Sequence, residues 1–431
     1  MWNQRRMNVW IFLELLIAGF FLWTVIDPVY VFMTYGFEDK GYQEKDRYIM
    51  RLGGYYTNHG MRDTTITVEQ QKKAFLRMAQ LVREQPEVEA MYIPLEHSFP
   101  NSPGISGGQY FPDTLTMKEE KYTHAQHYLI KDEAGSNFFH TLEIKDALTG
   151  EELQIPADVA TRNLCFVSEL FAQKMFGTTQ VVGKKVYTYN DQVFEIKGVF
   201  KNIKTRDYAT FYPLIIRFSK DFPYWSTYAH TSSFVVFSLK EGVDFDAFNN
   251  RFKREVAPHM NQANLYFKEF QAFEDLRKNF GKEYGLYNNL RLKFSLAAFT
   301  LLCIFLGMVG TFWIRCNARR QEIGLMRSMG ASKSRIIIQF LAEAGILQTM
   351  AFIVSLVVVF NVIFMQDAMT QPTTNFNKSF ALISEWLSPG VQFGMVSLLT
   401  YLALLAFAVI GTAIPVSRAV KVLPADALRD E

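Results

Sequence analysis

The sequence predicts a membrane protein: four transmembrane α-helices, one then three, with a large α+β extracytoplasmic domain between the first and second. Three observations carry this expectation. Four runs, approximately Val9–Met33, Phe294–Ile314, Ile336–Met365 and Val391–Ile414, reach the roughly 20 mostly apolar residues needed to cross a bilayer. Lys and Arg cluster beside alternate ends of these runs. The long block between the first two runs mixes alternating β-type segments with capped helical ones. The 45 Lys+Arg against 42 Asp+Glu give no polyelectrolyte signal for nucleic acid. Three cysteines cannot build a disulfide framework, and no pair of them has zinc-ligand spacing.

The first run follows Arg5 and Arg6, as a signal peptide would, but it is too long. Thr24-Val25-Ile26-Asp27-Pro28 also offers no small-x-small cleavage site, so the run is expected to remain as an anchor helix. Between the second and third runs lie six basic residues, Arg315, Arg319, Arg320, Arg327, Lys333 and Arg335, against one acid, Glu322. The tail adds Arg418, Lys421 and Arg429, whereas the segment between the third and fourth runs has only Lys378. This alternation sets both termini on the cytoplasmic side. The expected organisation is a cytoplasmic N-terminus and first span (1–33), an extracytoplasmic domain (34–273), a partly helical stalk (274–293) and a three-span domain (294–431). The last contains a cytoplasmic loop at 315–335 and a cytoplasmic C-terminal tail.

In the outer domain, Thr67-Val68-Glu69-Gln70 reads as a capping box opening an amphipathic helix through Arg83, with Phe75, Met78, Leu81 and Val82 on one side. Strands are expected at Val88–Leu95, Tyr122–Ile130, Phe138–Ile144, Lys184–Thr188, Val193–Phe200, Tyr208–Phe218 and Ser232–Leu239. Helices fit Ser168–Phe176 and Asp244–Ala257, each with an N-cap residue. Asn101–Gly108 is the clearest loop.

That loop holds two tempting motifs. Ile105-Ser106-Gly107-Gly108-Gln109 looks like the signature of an ABC ATPase, and Gly104 to Gly108 fits the nucleophile-elbow pattern G-x-S-x-G. The elbow needs a strand before it and a helix after it, and prolines at 100, 103 and 112 argue for a turn instead. The ATPase signature needs a P-loop. The nearest candidate, Gly177 to Gly183-Lys184-Lys185, has the wrong spacing and no Ser or Thr for magnesium. His124-x-x-His127 falls in a strand-like run, where residues three apart point to opposite faces, so no metal pair is expected.

Two carboxylates fall within the apolar runs. Glu14 and Glu343 form a candidate membrane-embedded polar site, since a carboxylate there is costly. Both lie toward the cytoplasmic side, where snorkelling or pairing with Arg315 or Arg335 would make them structural. Gly307 and Gly310 in the second run would allow close helix approach, within one subunit or at a dimer face.

The most informative segment is Arg319-Arg320-Gln321-Glu322-Ile323-Gly324-Leu325-Met326-Arg327-Ser328-Met329-Gly330-Ala331-Ser332. Ile323, Met326 and Met329 recur every third residue, Gly330 is a natural helix stop, and Ser332 can cap the helix that follows. A short basic-flanked helix with exposed methyl-rich side chains suits docking in a partner's groove. The alternative is a basic turn that only sets topology.

This segment resembles the coupling loop of MacB/FtsX-like ABC transporter permeases, R-x-x-E-I-G-x-x-R-A-x-G-A-S, with Ser328 in place of the usual Ala. Gln339-Phe340-Leu341-Ala342-Glu343-Ala344 resembles the family's Q-F-L-x-E-A, and Pro415, Arg418-Ala419 with Leu423 to Arg429 resembles its C-terminal motif, including Pro424, Leu428 and Arg429. Ser168–Gly177, Val182-Gly183-Lys184 and Phe194–Val199 resemble the MacB-type periplasmic core. The resemblance implies an FtsX-like permease domain, a MacB-like outer domain and residence in a bacterial inner membrane. It implies a separate cytoplasmic ABC ATPase subunit carrying ATP and magnesium, no cofactor in this chain and no catalytic activity of its own. It also implies a homodimer or a heterodimer with a related permease, and work with a periplasmic adaptor or outer-membrane component. Arg319, Arg320, Glu322, Ile323, Gly324, Arg327, Gly330 and Ala331 become the expected ATPase-coupling residues. The implied function is export or extraction of an envelope substrate. The alternative is a transmembrane lever that regulates an envelope hydrolase or signalling partner.

Overall fold

A computed structural model describes residues 5–55, 63–95, 97–102, 104–207, 209–223, 225, 234–283, 285–366 and 385–420. They form two units, an outer one built on Tyr35–Tyr284 and a membrane one built from the long helices on either side of it in sequence. After the opening helix α1 (Arg5–Phe37) come β1 (Arg47–Gly54), α2 (Val68–Arg83), β2 (Val88–Tyr92), β3 (Pro94–Leu95) and β4 (Ser106–Phe111). Next are α3 (Thr114–Lys118), β5 (Thr123–Lys131), α4 (Phe138–Leu142), β6 (Leu164–Ser168), α5 (Glu169–Phe176), β7 (Lys185–Thr188) and β8 (Val193–Phe200). The outer unit ends with β9 (Leu214–Ser219), β10 (Phe234–Leu239), α6 (Phe245–Glu255), β11 (Leu265–Ala272) and α7 (Phe273–Glu283).

Four strands form an antiparallel sheet in the order β11-β1-β10-β2. Side-chain alternation along β1 sends Tyr48, Met50 and Leu52 under α2 and α6, where Phe75, Met78, Phe248 and Phe252 close a core. Ile49 points the other way, into a second core with Tyr128, Phe138, Phe139, Phe166 and Ile216. Apart from β3, which pairs with β5, the remaining strands close into a ring. β5 pairs with β4 and β9, β9 with β6, β6 with β8, β8 with β7, and β7 back to β4. This ring encloses Ala125, Cys165, Phe194, Ile196, Ile215 and Val186, with Phe171 and Ala172 of α5 packed on the same cluster.

The predicted caps are present. Thr67 and Gln70 form the reciprocal capping box, Ser168 caps α5 and Asp244 caps α6. Phe138–Ile144 is not the expected strand. Asn137 accepts a hydrogen bond from the His140 backbone N–H (3.2 Å) and starts α4, whose Phe138, Phe139, Thr141 and Leu142 are all buried. A second correction concerns the glycine-rich loop expected at Asn101–Gly108, because Ser106 already begins β4 and the last three residues of that stretch lie in a strand. Val88–Leu95 breaks at Ile93 into two strands in different sheets, and β9 starts only after Pro213. The His124/His127 run is β5, as expected. The His127 Nδ1 lies 3.2 Å from the Tyr110 hydroxyl.

One polar network inside the outer unit is invisible in any local pattern. Lys204 is fully buried and binds Glu38 (2.8 Å) and the Tyr35 carbonyl (3.0 Å). Tyr42 donates to Asp207 (2.8 Å), which also lies 3.0 Å from Lys40, and the Asp207 backbone N–H donates to Asn101 (3.0 Å). Glu44 pairs with Lys40 and, from α7, Arg277 (3.4 Å). The chain at both ends of the outer unit, Tyr35–Glu44 and α7, is thus fastened by ions.

Among the described residues, the membrane unit has four helices long and apolar enough to span a bilayer: α1, α8 (Leu286–Ala318), α10 (Lys333–Gln366) and α11 (Pro389–Ala419). Between α8 and α10 lies α9 (Arg320–Ser328). The expected stalk is helical, passes through Gly281 and breaks at Gly285, whose φ of 65° ends α7 before α8 begins. In α1, Ile11, Leu15, Ala18 and Leu22 recur at helical spacing and pack on Ile304, Ala351, Phe352 and Leu404 of the other three helices. Two polar residues buried in α1 have partners on α11. Asp27 is buried and accepts a hydrogen bond from Gln392 (2.6 Å), and Trp23 donates to Ser397 (3.1 Å).

Two outcomes follow. Burial, then the Arg217 charge, push the His127 imidazole from 6.5 down to about 3. The unfolded chain therefore takes up this proton first, and stability falls as pH drops from about 6.5 toward 3. Between pH 7 and 5 the loss should be about 1–2 kcal/mol, seen as a lower melting midpoint and removed in His127→Gln. Lys204→Met leaves Glu38 without its buried partner and should cost about 2–4 kcal/mol in thermal or denaturant unfolding, whereas Arg162→Met, at an exposed pair, should cost less than about 1 kcal/mol.

Candidate coupling site

The nine residues of α9 are too few to hold a helix alone in water, so packing must supply its stability. Its inner face does so. Ile323 is buried with Cys316, Ile336, Phe340, Val416 and Val420, and Met326 and Ala331 pack against the same cluster. Gly324 is buried as well. At the N-terminal end, Arg319 pairs with Glu322 and with Glu343 of α10 (3.1 Å), and its guanidinium lies 4.8 Å from the centre of the Phe340 ring. Glu322 in the first turn also complements the positive end of the helix.

At the C-terminal end the chain makes a full Schellman stop. The Ala331 N–H donates to the Met326 carbonyl (3.0 Å) and the Gly330 N–H to the Arg327 carbonyl (3.1 Å). Gly330 sits at φ 91°, where a side chain would be strained. Arg327 turns inward and donates to the Val420 carbonyl at the end of α11 (2.7 Å). Ser332 then accepts from the Arg335 N–H (3.3 Å), capping α10 as its sequence position implied.

The expected coupling residues therefore divide. Arg319, Ile323, Gly324, Arg327, Gly330 and Ala331 shape and fasten the helix, while Glu322 stays exposed. Arg320 is the first residue of α9, and its side chain lies outside the described residues. The expectation that Ile323, Met326 and Met329 share an exposed face is corrected, since Ile323 is buried and Met326 half-buried. Each three-residue step falls about 60° short of a full turn, which carries Met329 out to solvent. The outward face is Gln321, Glu322, Leu325, Ser328 and Met329, with Leu325 52% and Met329 72% exposed. Leu325 was missed because the every-third-residue pattern skipped it.

Of the membrane carboxylates, Glu343 has Arg319 as a partner, and Arg335, expected in that role, is exposed. Arg315 lies outside the described side chains. Glu14 of α1 packs against α8, where a methyl added at Gly307 would overlap its carboxylate. Gly307 thus serves packing within the chain, whereas Gly310 faces open space. Glu14 and Glu343 do not share a site: the first packs against Gly307 of α8, and the second pairs with Arg319. Pro424, Leu428 and Arg429 lie outside the described residues.

With this geometry in hand, two family models match. The MacB-like periplasmic core domain matches residues 55–255, and the FtsX-like permease C-terminal domain matches residues 294–424. The chain belongs to the MacB/FtsX-like ABC-type permeases, membrane proteins that operate with ABC ATPase partners and are not themselves catalytic. Similar solved structures include the periplasmic region of MacB from Actinobacillus actinomycetemcomitans (10% identity, TM-score 0.33, 57% of this chain and 96% of that one). A domain of a putative permease from Porphyromonas gingivalis is 15% identical (TM-score 0.31, 45% and 80% covered). The extracellular domain of the noncanonic ABC-type transporter YknZ from Gram-positive bacteria is 12% identical (TM-score 0.29, 51% and 100% covered). No curated protein matches the sequence.

The two faces of α9 should separate in a stability assay. Ile323→Ala should cost about 2–4 kcal/mol and lower the melting midpoint of the solubilised protein. Leu325→Ala and Met329→Ala should stay within about 0.5 kcal/mol of the native chain.

Proposed function

We propose that this chain is the permease subunit of a MacB-type transporter, driven by a separate cytoplasmic ABC ATPase, and that α9 is the surface on which the ATPase acts. The observation that carries the reading is the two-sided character of α9. Its inner face is fastened to the bases of α10 and α11, while Leu325 and Met329 stand exposed beside Gln321, Glu322 and Ser328. Two apolar anchors one turn apart, with polar neighbours, suit a groove on a partner. Because Arg319 and Arg327 tie the helix to α10 and α11, a displacement of α9 reaches two spans directly.

ATP and magnesium belong to the partner in this reading. Closure of the ATPases on ATP presses α9, and the work is done on an envelope substrate, by export or extraction, on the far side of the membrane. Basic residues around α9 support a cytoplasmic location for it and for both termini. Coupling requires that α9 bind the open and closed ATPase states with different affinity, since equal affinity shifts nothing. Two copies act together, a reading supported by the many exposed apolar side chains of α8, among them Phe299, Leu302, Leu306 and Trp313.

Co-purification from detergent-solubilised membranes tests this. An ABC ATPase should accompany the native chain and be lost from a Leu325→Ser, Met329→Ser double variant that retains the native melting midpoint. An ATPase that never appears, or that stays with the double variant, contradicts the assignment of this face.

A further inference from the structure

The ring of strands in the outer unit has an open mouth that plays no part in the coupling site. Along β9, Arg217 shares the inward face with Ile215, because alternate residues of a strand point the same way. Register agrees, with Arg217 opposite Leu129 of β5 and Cys165 of β6, and Cys165 belongs to the core inside the ring. A cleft of about 410 Å³ opens here, lined in part by Arg217, Phe194, Leu129, Phe218, Lys220 and Pro223. The mouths of β-barrels are recurrent sites for small ligands, and this volume is of the size such ligands occupy.

Arg217 is the unusual member. Its guanidinium stacks on Phe194, 5.4 Å from the ring centre, and its buried Nε has no hydrogen-bond partner. Among the described residues no carboxylate pairs with it. Arg47, Lys204 and Arg251, by contrast, have Glu143, Glu38 and Glu87. His127, two residues before Leu129 on the same face, is held neutral by burial and brings no negative charge. A half-buried guanidinium beside an aromatic wall favours a planar anion with an apolar body. Asp221 on the lining disfavours a second negative charge.

We propose that this mouth binds a small monoanionic amphiphile, its carboxylate held by Arg217 and its apolar body against Phe194, Leu129 and Pro223. The site is separate from α9, so it stands or falls independently of the ATPase assignment.

The test is calorimetric titration of the full chain in lipid nanodiscs with 4-phenylbutyrate and its neutral isostere 4-phenylbutyramide. The native chain should bind the carboxylate saturably at one site per chain. Arg217→Gln should weaken it by at least about tenfold, and the amide should bind the native chain at least about tenfold more weakly. Lys220→Gln, at the exposed rim, should change affinity by less than about threefold. Arg217→Lys, which keeps the charge without the fork, should fall between native and Arg217→Gln. Should Arg217→Gln fail to fold, Arg217→Lys and the amide comparison decide the matter. Absence of saturable binding to the native chain, equal binding by a folded Arg217→Gln variant, or equal binding of the amide overturns the proposal.

Discussion

A short helix can transmit force only if it is fastened, and α9 is fastened at its start by Arg319. This half-buried cation joins Glu322 on α9 to Glu343 on α10 while its guanidinium lies over Phe340. The arrangement resolves two local difficulties together. A carboxylate seven residues into a bilayer-spanning run receives a counter-charge, and a nine-residue helix receives an anchor that its length cannot supply. The opposite end is held by different means, the Schellman stop at Gly330 and the bond from Arg327 to Val420. Between these two ends, Ile323 seals the apolar base formed with α10 and α11.

The outer unit follows the same logic. A buried charge is tolerated when every member of its network has a partner, and Lys204, Glu38, Asp207, Tyr42 and Asn101 meet that condition around the chain that enters the unit. Apolar burial supplies most of the stability, on both faces of the four-stranded sheet and inside the ring of strands. The polar network adds direction, because its partners occupy Tyr35–Glu44, residues around Asn101 and Lys204–Asp207, and α7.

Local chemistry decides which features were legible in the sequence. Caps and stops are encoded within four residues, so Thr67 with Gln70, Ser168, Asp244, Gly330 and Ser332 could all be read directly. The four spans were equally plain, since a run of about 20 apolar residues matches the thickness of a bilayer and exceeds what a buried core helix needs. Long-range choices were not legible. Phe138–Leu142 has strand-like composition but is helical because Asn137 caps it and the surrounding core takes all four buried side chains. β1, β6 and β11 have no clear alternation in the sequence. β6 is buried throughout and lacks alternation, while β1 and β11 carry charged residues that obscure it. At the site, the family resemblance located α9 but could not divide its faces. That division rests on the hundred-degree step of a helix and on partners, Glu343 and Val420, that lie 24 and 93 residues away.

In the proposed function, α9 presents Leu325 and Met329 to an ATPase while Ile323 faces its own bundle. Site-specific photo-crosslinking in intact membranes tests it most directly, with a photoreactive residue placed in turn at 323, 325 and 329. Crosslinks to an ABC ATPase are expected from 325 and 329, and from 323 only crosslinks within the chain. Capture of the ATPase from 323 but from neither outward position would contradict it.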